Sequence, residues 1–165
     1  MKLAAMGIVI VAACGGKSEP KGVETPLGTT GAKIDLPKGW RITDQGKHHE
    51  RFNWEIEFGD MSSNEWRVLW CRTMEPLESI EKLVAADDSC RHEKNTVTKT
   101  LPSGAFFVEC DKNEAGTDLH HIGASVATSE IDTGSMIKHA AVHCFANTSS
   151  PTDDHYAIIK SLRTK

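Results

Sequence analysis

Apolar and polar residues alternate over much of the chain, and the period of that alternation predicts its elements. Phe52, Trp54, Ile56 and Phe58 are separated by Asn53, Glu55 and Glu57, the pattern of a half-buried strand. After a polar turn over 59–65, Trp66, Val68 and Trp70 alternate again. The two runs predict an antiparallel hairpin whose tryptophans share one face. Upstream, Ile34, Leu36, Trp40 and Ile42 predict an edge strand bent at Pro37 and Gly39. The period changes over 76–87. There Leu77, Ile80, Leu83 and Val84 recur at three- and four-residue steps behind Pro76, predicting a helix. Strands over 96–100 and 105–110 follow, joined by Leu101-Pro102-Ser103-Gly104. A second hairpin joins 120–128 to 136–146 around Ile131-Asp132-Thr133-Gly134. Pro151-Thr152-Asp153-Asp154 opens a closing helix with Tyr156, Ile159 and Leu162 on one side; its early acids and late Lys160 and Arg163 suit the helix dipole.

The second hairpin can be given a register. If facing residues have numbers that sum to 264, Ile122 meets Val142 and Ala124 meets Ala140. Even positions then line the core, with Cys144 among them. Cys110 shares a face with Phe106 and Val108 by the same reasoning. On the odd face His121 meets His143, and His139 lies two residues back along the strand.

The N-terminus has a different character. Met1-Lys2 precedes an apolar run over 3–13, too short to span a bilayer, which needs roughly 20 apolar residues. The run closes on Val11-Ala12-Ala13-Cys14, followed by Gly15-Gly16-Lys17. This segment resembles a bacterial lipoprotein signal. The resemblance implies removal of residues 1–13, acylation of Cys14 and attachment to a membrane through acyl chains. By the sorting rule of many Gram-negative lipoproteins, Gly15 in place of an aspartate implies the outer membrane. Residues 14–31, rich in Gly, Pro, Ser and Thr, read as the acylated cysteine and a flexible tether. A single domain then covers 32–165.

Composition narrows the function classes. Loss of residues 1–13 removes one of the 19 basic groups, Lys2, and leaves 18 against 23 acidic ones, a net charge of −5. A nucleic-acid partner would need clustered Lys and Arg, and none is expected. Beyond Cys14 there are four cysteines, Cys71, Cys90, Cys110 and Cys144, without a Cys-x-x-Cys pair. In an exported chain they read as two disulfides. The expected pairing is Cys71–Cys90, stapling a strand end across the following helix, with Cys110–Cys144 joining two core-facing strands.

The order of elements, with Ile34, Leu36, Pro37, Gly39 and Trp40 at one end and Tyr156, Ile159, Ser161, Leu162 and Arg163 at the other, resembles the PsbP/DcrB-like superfamily. That resemblance implies an α+β fold, a twisted antiparallel sheet packed with two or more helices, here stapled by disulfides. The family implies binding or scaffolding and supplies no catalytic motif.

Candidate chemistry is sparse. No Gly-x-Ser-x-Gly, His-Glu-x-x-His or phosphate-binding glycine loop occurs. The acid pairs Asp87-Asp88 and Asp153-Asp154 fall at predicted helix ends, where capping explains them. Trp54, Trp66 and Trp70 fit a core face, while Trp40, behind its Pro-x-Gly bend, is the tryptophan expected to be exposed. His121, His139 and His143 read first as a solvent-facing polar strip and second as ligands of Zn²⁺ or Cu²⁺. The chain is therefore expected to be a non-enzymatic, membrane-anchored envelope lipoprotein that binds a protein partner or serves envelope assembly. The alternative is a metal- or small-ligand-binding lipoprotein using the histidine strip.

Overall fold

A computed structural model describes residues 22–48, 51–75, 95–134 and 138–164, with Lys82, Cys90 and Glu93. Among these residues there are nine strands and one helix. They are β1 (Val23–Pro26), β2 (Lys33–Leu36), β3 (Trp40–His48), β4 (Arg51–Phe58), β5 (Arg67–Met74), β6 (Val97–Thr100), β7 (Phe106–Glu114), β8 (Thr117–Asp132), β9 (Lys138–Thr148) and α1 (Asp153–Lys160). β1 and β2 pair with each other, and the rest form an antiparallel sheet in the order β3-β4-β5-β9-β8-β7-β6.

This corrects the expected α+β class with two or more packed helices. The described residues are mostly β, 60% strand against 8% helix. The strands outrun their hydrophobic patterns: β8 spans 16 residues and β9 spans 11. Polar ends such as Thr117-Asp118 show no apolar alternation, yet ladder hydrogen bonds to a neighbouring strand keep them extended. Of the helix expected over 76–87, only Lys82 is among the described residues, where it is helical; the rest lies outside them.

The boundary of the folded unit also moves. Within the tether expected over 14–31, residues 23–26 form β1, paired with β2 from Val23↔Leu36 to Pro26↔Lys33. Leu27 is fully buried and Thr30 nearly so. Arg163 fastens this unit to the C-terminus: its Nη2 donates to Asp35 Oδ1 at 2.7 Å and to Glu24 Oε2 at 2.8 Å. Lys33 also contacts Glu24 at 2.8 Å, and these two cations hold the Glu24 carboxyl below its usual range. A segment of weak β propensity is thus held extended by distant partners.

The main core lies on one face of the large sheet. Trp54, Ile56, Leu69, Phe107, Ile122 and Val142 pack there against Leu27, Ile34 and Leu36 from β2 and its turn and against Ile158 and Ile159 of α1. Trp40 belongs to this face as well. It is 7% exposed, correcting the expectation of an exposed aromatic, because its Nε1 donates to Asp154 at 2.9 Å and its ring meets His155 edge-on. Gly39, with φ +94°, makes the bend before it; a Cβ there would lie 2.7 Å from Phe58.

Register decides three further corrections. Trp54 pairs with Cys71 and Glu55 with Trp70, so Trp54 and Trp70 face opposite sides of the sheet. The turn between Phe58 and Arg67 sets even positions against odd ones. In the β8–β9 hairpin Ile122 meets Ala146 and Val126 meets Val142, so the sum is 268 rather than 264. His121 therefore opposes Asn147, and Ser125 opposes His143. The shift is even and leaves every side chain on its expected face.

The disulfides are Cys71–Cys144 and Cys90–Cys110, correcting the expected pairing. Cys71 and Cys144 are direct partners on β5 and β9, with Cα atoms 4.0 Å apart. Cys110 pairs with His121 while Cys144 pairs with Ala124, which puts Cys110 and Cys144 on opposite faces of the sheet. No bridge can form through the sheet between them.

Candidate functional site

The face away from the main core carries the predicted histidines. β8 contributes His121, Gly123 and Ser125; β9 contributes His143, Phe145 and Asn147; β5 contributes Trp70 and Arg72. Far from forming a solvent-facing strip, His121 and His143 are 1% and 2% exposed. Both rings lean over Gly123. A Cβ built on that glycine would lie 3.0 Å from His121 Nε2 and 2.9 Å from His143 Cε1. Phe145 stacks beside both, at 6.1 Å and 5.4 Å between centroids, and Arg72 lies over Phe145. His121 Nδ1 is 2.7 Å from Asn147 Oδ1. Two imidazoles are thus brought together by the missing side chain of Gly123.

His139 does not join them. It pairs with Ile131 beyond an irregularity in the ladder between Ala127 and Ile131. It is 2% exposed, and neither ring nitrogen has a hydrogen-bond partner. The expected three-histidine ligand set is therefore not assembled, and among the described residues no group of three His, Cys, Asp or Glu could hold a metal ion. Burying unpaired polar atoms costs about 1–3 kcal/mol. Replacing His139 with leucine, similar in volume and without those atoms, is expected to raise the unfolding free energy by about 1 kcal/mol. Urea denaturation of His139→Leu checks this; an unchanged or lower midpoint would count against it.

A second arrangement lies on the core side at the sheet's edge. Asp111 and His120 are cross-strand partners on β7 and β8. Asp111 Oδ1 lies 2.6 Å from His120 Nδ1, and His120 Nε2 lies 3.0 Å from the Tyr156 hydroxyl on α1. Glu109 is 3.9 Å from the same Nε2. The chain of contacts has the order of an acid–base relay, but its last member is not activated. Burial and neighbouring Glu109 both push the Tyr156 hydroxyl above its ordinary pKa. The tyrosine remains a hydrogen-bond donor that pins α1 to the sheet. The sequence pattern passed over this group. The two-residue turn Ala115-Gly116, both with positive φ, would have placed Asp111 opposite His120.

No protein-family model and no curated protein matches the chain. It is similar to a crystal structure of a protein from Bacteroides thetaiotaomicron VPI-5482, with 10% identity and a TM-score of 0.42. The similarity covers 81% of this chain and 45% of that one, so the chain spans less than half the length of the protein it resembles.

Proposed function

We propose that this protein is a lipid-anchored component of the bacterial cell envelope, at the outer membrane, which binds a protein partner or serves envelope assembly without catalysing a reaction. The observation that carries the reading is the tetrad Val11-Ala12-Ala13-Cys14 behind a short apolar run. Two disulfides agree with an oxidising compartment. Acyl chains at Cys14 would supply the membrane attachment. Among the described residues no helix is long and apolar enough to supply it.

Intact mass of the membrane-extracted protein is expected to show Cys14 as the lipidated N-terminus, with residues 1–13 lost. Cys14→Ser should abolish acylation and normal processing. Wild-type protein that begins elsewhere and carries no lipid would overturn the anchor. The binding half is tested by cross-linking in intact cells: recurrent capture of one envelope protein supports it. Substrate turnover that disappears in His120→Gln would overturn the non-catalytic reading.

A further inference from the structure

We infer that the cleft where β5 begins, β9 ends and α1 starts binds a small organic oxyanion, a carboxylate or a phosphate ester carrying a flat apolar group. The cleft has a volume of about 400 Å³ and is lined by Asn64, Trp66, Arg67, Ser149, Ser150 and His155, among others. It stands apart from the anchored, protein-binding reading, because neither the lipid nor a protein partner enters into it.

Two side chains make this a built site. The first is His155, 1% exposed and yet part of the cleft wall. Its Nδ1 accepts the backbone N–H of Thr152 at 3.2 Å, with Thr152 Oγ1 2.8 Å from the same nitrogen. The proton of the neutral ring therefore sits on Nε2, for which the described residues supply no hydrogen-bond partner. Burial and the nearby Arg67 cation lower the His155 pKa, against an opposite pull from Asp154, so the ring offers an N–H without a charge of its own.

The second is Arg67, half-buried at the start of β5. Its Nη1 donates to the carbonyls of Glu65 at 2.9 Å and Trp66 at 3.3 Å, contacts that orient the guanidinium without neutralising it. Among the described residues no carboxylate lies within ion-pair distance of it. Carboxylates on the adjoining elements are otherwise engaged: Glu57 accepts from Trp66 Nε1 at 3.2 Å and Asp154 from Trp40 Nε1 at 2.9 Å. A guanidinium that no described carboxylate pairs, beside a neutral N–H donor and two serines, matches an oxyanion. Trp66 also lines the cleft, and with its indole N–H already committed to Glu57 the ring is left for an apolar part of the ligand.

The test is calorimetry on the full chain in mild detergent, with benzoate and phenyl phosphate as probes and benzamidine as a cation of similar shape. One or both anions are expected to bind and benzamidine not to bind. Which anion binds more tightly tells carboxylate from phosphate ester. Arg67→Gln should weaken anion binding at least about tenfold, since a hydrogen bond to a charged group contributes about 1.5–3 kcal/mol. Should that variant fail to fold, Arg67→Lys keeps the charge but loses the planar fork, and should also bind more weakly. Failure of both anions to bind at millimolar concentration would overturn the inference. So would equal affinity in the wild type and a folded Arg67 variant, or binding of benzamidine as tight as that of benzoate.

Discussion

Replacing Cys71 and Cys144 together by alanine is expected to lower the unfolding free energy by about 4 kcal/mol. The two cysteines are 73 residues apart in sequence. Closing so long a loop in the unfolded chain removes conformational freedom that amounts to about 4 kcal/mol at room temperature on the chain-entropy account. The Cys90–Cys110 bridge closes only 20 residues, which gives about 3 kcal/mol on the same account. Position strengthens the contrast. Cys71 and Cys144 are fully buried in the main core and lie where β5 meets β9, a contact between strands far apart in sequence. Non-reducing peptide mapping should first recover the Cys71–Cys144 and Cys90–Cys110 peptides. Urea denaturation of the two double variants then compares them. A smaller loss for Cys71→Ala/Cys144→Ala than for Cys90→Ala/Cys110→Ala would refute the assignment of the longer loop as the principal staple.

Gly123→Ala is expected to cost about 1–3 kcal/mol, the usual range for overpacking a filled site. The sign is diagnostic. In a strand interior, alanine is ordinarily better than glycine by roughly 0.5–1 kcal/mol, because glycine loses more freedom on folding. Here the added methyl would meet His121 Nε2 and His143 Cε1 at about 3 Å, and neither ring has an easy retreat. Both are buried against Phe145, and His121 is also held by Asn147. If the two imidazoles are the cause, the penalty should vanish in a His121→Ala/His143→Ala background. A thermodynamic cycle measured by urea denaturation decides it. A Gly123→Ala protein as stable as wild type would show that the rings do not depend on the bare backbone.

Along a single strand, which side chains share a face was legible because side chains alternate with a period of two. Across a hairpin that grouping survives an even slip, as in β8–β9, but not an odd one, as between Trp54 and Trp70. The pattern correctly groups Cys144 with Ile122 and Ala124, and Cys110 with Val108, but the expected bridge set both cysteines on core-facing positions, and the structure sets them on opposite faces. The closing helix was legible from Asp153, Asp154 and the apolar spacing behind them; it runs from Asp153 to Lys160 and buries Ile158 and Ile159. Partnership between distant segments was not. Periodicity along 67–74 says which side chains face inward, but nothing in it chooses β9 as the neighbour, and the Cys71–Cys144 bridge follows from that choice.

What the sequence by itself determined is local: where most of the strands and the closing helix form, and which side chains along each of them share a face. Tertiary structure alone decided that Thr25 and Pro26 join a strand, that His121 and His143 are buried over Gly123, and that Arg67 stands beside His155. The reason is the range of the forces. Backbone sterics and alternation act over a few residues and are written in each segment. Burial, by contrast, depends on which surfaces the whole chain brings together, and a polar residue such as His121 enters the interior only where a neighbouring strand supplies Phe145 and Asn147 to receive it.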